Sequence, residues 1–292
     1  HGAFYGVGAY ASALVVNYYR GQFFFGIVVG AAVAFAVGII LGLPALRIKG
    51  LALALVTLAF AAVFPALLGM IDSVTNAPNN LRITYKIPNP RNPSVMIDAL
   101  VRFRSPFDPT IIADDQWRYF YVLAIAFACF LLVRNLMSSR VGRAIVAIRD
   151  NEIAASTSGI NVSGVKLLTF GISSALAGVG GALFALSQDQ TQLSPNSFTF
   201  GLSLMLLVVV VLGGSGTILG PAIGAVIYGV FNDVLKVRVF PEDWQPLAPL
   251  ILAVSMIVSV NIAPGGVAGT IRDFFEGRNM KASTREAAIS DT

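Results

Sequence analysis

One histidine (His1) and one cysteine (Cys129) in 292 residues leave little with which to do covalent or metal chemistry. A nucleophile needs a base within reach, and a metal needs several ligating side chains close together. His1 is the first residue and Cys129 lies inside an apolar run, so neither joins such a set, and Cys129 reads as a packing residue. The stretch 213–217, Gly-Gly-Ser-Gly-Thr, lacks the Gly-Lys-Ser/Thr ending and the preceding strand that a phosphate-binding loop requires, and it reads as a turn. No catalytic residue, metal or cofactor is expected, and energy for any active process has to come from another subunit. One polar segment, 142–161, does carry a pattern: Gly142-Arg143-Ala-Ile-Val-Ala-Ile-Arg149-Asp150-Asn151-Glu152-Ile-Ala154-Ala155-Ser-Thr-Ser-Gly159-Ile-Asn. Two short helices are readable there. Asp150 or Asn151 can cap the second, Glu152 then sits in its first turn where a negative charge suits the helix dipole, and Gly159 can close it. The chemistry on offer is recognition. Read locally, the short Ala-rich helix between two spans suits an interfacial helix lying flat on a lipid surface.

The elements that must carry this segment are membrane spans. The chain is 56% hydrophobic and 12% charged, about half the charge of a soluble domain. Stretches free of Asp, Glu, Lys and Arg run over 2–19, 21–46, 50–71, 119–133, 167–188, 190–232 and 244–271. A helix needs about 20 apolar residues to cross a bilayer. Six runs meet or approach that length, and Trp117 and Arg118 can extend 119–133 from the interface. The run 190–232 is too long for one helix and breaks at Gly213–Gly216 and Gly220-Pro221. About eight spans result. Helices are expected because lipid tolerates no unsatisfied backbone, and the runs lack the alternation of barrel strands. The fold class is therefore an all-α integral membrane protein, a polytopic helical bundle.

Five small residues in the second run, Gly26, Gly30, Ala34, Gly38 and Gly42, recur every four positions and form one helix face. Ser174, Gly178 and Ala182, with Ala177, Gly181 and Ala185, repeat the theme. Such stripes predict close helix packing. The spans hold no ionisable residue of the kind that ion-coupled transporters place in the membrane. The net charge of +5 resides in loops beside the spans, pointing to lipid headgroups or protein partners rather than nucleic acid. The expected organisation is a transmembrane domain over 1–271, with a long proline-rich loop at 72–118 and the patterned loop at 134–166, then a polar tail at 272–292. Lys and Arg are nearly balanced between the two sides, so the positive-inside rule leaves orientation open. A chain that opens at His1 and runs straight into an apolar segment reads as a piece of a longer protein with helices upstream.

Glu152-x-Ala154-Ala155-x3-Gly159 resembles the coupling motif of bacterial ABC import permeases, and 142–161 as a whole resembles the matching loop of branched-chain amino acid permeases of the LivM type. Other segments agree in order. His1–Tyr10 is similar to that family's early span, 47–60 to its next turn and helix, 194–198 and 213–221 to its late spans, and 264–269 to its closing motif. The chain departs at Thr75-Asn76-Ala77-Pro78, where the family often has Thr-Gly-Gly. The resemblance implies a multi-pass bacterial inner-membrane permease of an ATP-driven importer, with 134–166 in the cytoplasm. It implies contact with an ATPase at Gly142, Arg143, Arg149, Glu152, Ala154, Ala155 and Gly159. It further implies a second permease subunit, two ATP-binding subunits and an extracytoplasmic solute-binding protein as partners. A permease for urea or short amides, an ATP-independent channel and a non-transport scaffold are the alternatives.

Overall fold

The computed structural model describes residues 1–18, 23–46, 51–71, 81–82, 84–89, 92–100, 113–187, 192–214, 216–230, 254 and 269. Apart from the first residues and the glycine turn of the run 190–232, the runs expected to span fold as helices where they are described: α1 (Gly2–Tyr18), α2 (Phe23–Ala45), α3 (Leu51–Met70), α4 (Asp114–Ser138), α7 (Val162–Ser187), α8 (Phe200–Gly213) and α9 (Gly220–Val230). Between α4 and α7 lie two short helices, α5 (Arg140–Asp150) and α6 (Glu152–Thr157). Among the described residues α2, α4 and α7 are long and apolar enough to cross a membrane, each holding a window with at most two charges. α4 extends the 119–133 run at both ends, as Trp117 and Arg118 suggested. The run 190–232 does break at its glycines, but α8 does not begin until Phe200, so both of its helices are short. The expected span at 244–271 lies outside the described residues except for 254 and 269, as do the turns at 47–49 and 236–243 and the tail at 272–292.

Among the described residues, strands occur only between helices. In the proline-rich loop, β2 (Thr84–Asn89) pairs antiparallel with β3 (Asn92–Leu100), its register slipping at Pro88/Asn89. β1 (Leu81–Arg82) pairs with β4 (Gln192–Leu193) through Leu81 opposite Leu193. That pairing joins the chain beyond α3 to the chain beyond α7, so these two helices end on the same side of the bundle. The α5–α6 segment is separated from that end by the whole of α7, 26 residues or about 39 Å.

The chain divides into two units, 1–203 and 204–292. In the first, α1, α2 and α7 form a tightly packed trio whose contacts are made by small residues. A side chain at Gly30 would press on the Gly8 carbonyl at 2.8 Å, and one at Gly178 would overlap Ala34 and meet the Gly30 carbonyl at 3.0 Å. Gly26 lies against Val16 and Ser12, Gly38 against Ser174, and Gly42 against Leu167 and Phe170. The α2 stripe therefore faces both α1 and α7. Lipid supplies no hydrophobic drive for helix association, so dispersion at such backbone-to-backbone approaches stabilises the contact. Two hydroxyls in this core, on Ser12 and Ser174, are buried but donate to their own helix, to Ala9 O (2.9 Å) and Phe170 O (2.8 Å). α4 differs in kind: none of its residues is buried, and Tyr121 and Ile125 are the side chains it rests on the core. In the second unit α8 folds back onto α9, Gly224 lying under the Val209 carbonyl, and Thr217 Oγ accepts from Gly220 N at 2.9 Å to start α9.

Candidate functional site

The patterned loop folds as a helical elbow followed by a one-turn helix, each joint specified by a local hydrogen bond. α4 stops at Ser139, whose extended backbone turns the chain; its N–H donates to Leu136 O (3.1 Å) and its hydroxyl accepts from Gly142 N (3.4 Å). Gly142 is buried at this elbow, where a Cβ would overlap the Met137 carbonyl, so a larger residue would force α5 away from α4. Asn151 is the joint between α5 and α6. Its backbone N–H donates to Ala147 O (3.0 Å), ending α5, and its side-chain oxygen accepts from both Ile153 N and Ala154 N (3.0 Å each), starting α6. Of the two expected caps, Asn151 is the one used, and Asp150 instead accepts from Arg149 at 3.0 Å.

α6 closes with a Schellman motif: Ile160 N donates to Ala155 O and Gly159 N to Ser156 O, both at 3.1 Å. Gly159 takes a φ of +81°, which an L side chain adopts only at a cost. The hydroxyls of Thr157 and Ser158 both donate to Ala154 O. Five of the six residues of α6, Ile153 to Thr157, thus take part in capping or side-chain-to-backbone hydrogen bonds, which a single turn needs because it cannot repay its own nucleation.

Ala155 is 4% exposed and is the face by which α6 sits on the rest of the chain, while Ala154 points outward. Glu152 forms an ion pair with Lys166 at the foot of α7 (2.8 Å), both side chains about one third exposed. Arg143 and Arg149 lie on the outside of the elbow, and Arg149 pairs with Asp150. The structure therefore gathers Gly142, Glu152, Ala154, Ala155 and Gly159 into the elbow and its turn, and leaves the two arginines flanking it.

Two residues were not singled out by sequence reasoning. Lys166 completes the Glu152 pair; it looked like the edge of a loop, and only the fold brings it back to α6. Ile153 is 77% exposed, a large aliphatic side chain at the tip of a polar loop. Its signal was present, since the residue after a capped acid on a one-turn helix cannot reach the core when Ala155 does. Ile153 and Ala154 are thus exposed apolar side chains on a segment whose neighbouring charges include the Arg149–Asp150 and Glu152–Lys166 pairs. Among the described residues no group of three or more His, Cys, Asp or Glu side chains is placed to hold a metal.

Comparison with known proteins adds the following. Residues 1–260 match the family model described as branched-chain amino acid transport system / permease component. The chain is 30% identical over 299 residues to the high-affinity branched-chain amino acid transport system permease protein LivM of Escherichia coli (strain K12), covering 98% of this chain and 67% of that protein. It is 27% identical to a probable branched-chain amino acid transport permease protein LivM of Methanocaldococcus jannaschii over 50% of this chain and 44% of the relative. The ribose import permease protein RbsC of Haemophilus influenzae is 28% identical over 48% of this chain and 44% of its own length. No solved structure matches the chain.

Proposed function

Because the chain belongs to the family of branched-chain amino acid transport permease components, we propose that it is the membrane-spanning subunit of an ATP-driven importer of branched-chain amino acids in the bacterial inner membrane, and that α5 and α6 are its coupling element. The observation that carries the coupling role is the construction of α6. A one-turn helix fixed at both ends presents Ile153 and Ala154 outward and is tied by Glu152 to Lys166 at the foot of α7.

Two ATP-binding subunits lie on the cytoplasmic side, and α6 seats in a groove on one of them. Arg143 and Arg149 face its acidic groups. A second permease subunit completes the pathway, and an extracytoplasmic solute-binding protein delivers solute at the opposite end, where β1 pairs with β4. When the ATPases close on nucleotide, the displaced α6 moves α7 through the Glu152–Lys166 pair, and moves α4 through the Gly142 elbow. Each ligand shifts the equilibrium only by its difference in affinity for the two states, so receptor and nucleotide act jointly to favour the outward-open form. The absence of ionisable residues from the expected spans suits a zwitterionic solute moved without ion coupling.

The test is uptake into vesicles carrying the complete transporter. ATP-dependent leucine uptake, competed by isoleucine and valine and not by urea, is the expected result. Competition by urea alone would move the solute class to short amides. Uptake that needs no ATP would make the protein a channel, and no solute movement in an intact complex would make it a scaffold.

A further inference from the structure

At the end of the bundle opposite the coupling helix, a loop residue is buried more deeply than most residues of the helices. Phe198 ends a four-residue 3-10 turn (Pro195–Phe198) in the connection between α7 and α8, yet it is 0% exposed. Connections normally run over the surface, because their backbone is hard to satisfy inside. Here the connection turns inward and sets one ring among four others: Tyr10 at 5.7 Å between centroids, Tyr5 and Phe184 at 6.1 Å, and Phe64 at 6.4 Å. These come from α1, α7 and α3, and most meet Phe198 edge to face. Gly6 supplies the room, since a Cβ there would overlap Phe64 and reach within 3.1 Å of the Phe198 ring. The approach to this ring is fastened at two points. Tyr10 Oη donates to Leu193 O (3.2 Å), and Leu193 pairs across to Leu81 of β1, both side chains nearly fully buried.

We propose that the 192–198 connection is the extracytoplasmic gate of this chain, with Phe198 as its plug, and that it is seated, and so closed, in this structure. The inference rests on the coupling role proposed above. Each aromatic pair is worth about 0.5–1.5 kcal/mol beyond the burial of its rings, so a displaced α7 wall that breaks one pair weakens the seat of Phe198. The link to ATP is α7 itself. Its foot carries Lys166, paired to Glu152 of the coupling helix, and its far turn carries Phe184, one wall of the plug's seat; the two are about 27 Å apart along one unbroken helix. Moving the foot of α7 moves that wall, and the seat opens toward the side where solute arrives.

Labelling in nanodiscs tests this, using the full-length chain with its partner subunits, Cys129→Ala and Phe198→Cys, and a charged thiol reagent. The thiol introduced at position 198 should react slowly without nucleotide, and several-fold faster once ATP and vanadate trap the complex with solute-loaded receptor. A second preparation keeps Phe198 and carries spin labels at Asn196→Cys and Tyr18→Cys; their mean separation should lengthen in the trapped state. Equal labelling rates in the two states, or an unchanged separation, would make Phe198 a fixed packing residue and overturn the gate. Uptake is measured on the same complex with native Phe198. ATP-driven uptake beside a Phe198 that never opens overturns the gate alone, whereas absence of ATP-driven uptake removes the coupling role and the gate with it.

Discussion

Replacing Asn151 by alanine tests α6, the proposed coupling helix, apart from the rest of the fold. The side chain accepts two backbone N–H groups at 3.0 Å, both within α6. An N-cap of this kind is worth about 1 kcal/mol. In a long helix that loss is absorbed, but α6 has six residues and no reserve of its own propensity. About 1 kcal/mol is a factor of roughly five in the population of the ordered turn. N151A should therefore leave the protein in the membrane at normal abundance, accelerate amide exchange at Ile153 and Ala154 several-fold, and lower ATP-driven uptake by a similar factor. Asn151→Asp keeps the acceptor and adds a favourable charge at the helix N-terminus, so it should restore both readouts. Wild-type uptake in N151A, with exchange at Ile153 and Ala154 accelerated, would show that an ordered α6 is not required for coupling. Unchanged exchange would show that the cap does not hold the turn.

Three further outcomes follow from the same geometry. Glu152→Lys should reduce uptake, and Glu152→Lys combined with Lys166→Glu should recover part of it; the pair is partly exposed, so its own worth is within about 1 kcal/mol and the double-mutant cycle is the proper measure. Gly159→Val should lower uptake roughly five- to thirty-fold while Gly159→Asn retains much of it, because the strain of a φ of +81° costs roughly 1–2 kcal/mol for most side chains and less for asparagine, and nothing crowds the position. Gly178→Leu should remove the protein from the membrane, measured as loss of folded material after mild detergent, whereas Gly69→Ala, with nothing within 4 Å, should not.

How far these features were readable in the sequence depended on how local they are. The two short helices, the acid in the first turn of α6 and the glycine that closes it are written within about twenty consecutive residues, and capping chemistry acts over three or four. The small-residue stripe of α2 is equally local, since a four-residue spacing fixes a face, although it does not say that the face meets both α1 and α7. Lys166 is different: it pairs with Glu152 only because the chain turns at Asn161, whose side chain accepts from Gly164 N and starts α7. Phe198 is harder still. An isolated phenylalanine after Ser-Pro-Asn-Ser reads as a loop residue, and its burial is decided by rings brought from α1, α3 and α7. The strands β1 and β4 are two residues each and lie far apart in sequence, too short to carry a pattern.

The central claim is that α6 is where an ATPase engages this chain, and co-purification tests it most directly. The tagged full-length protein is expressed with its transporter partners, solubilised in mild detergent and compared with Ala155→Arg, which places a long charged side chain where only a buried methyl group fits. The account predicts that an ATP-binding subunit accompanies the wild-type chain and is lost from the variant, while the second permease subunit remains with both. An ATP-binding subunit retained equally by the variant, with its fold intact, would contradict it.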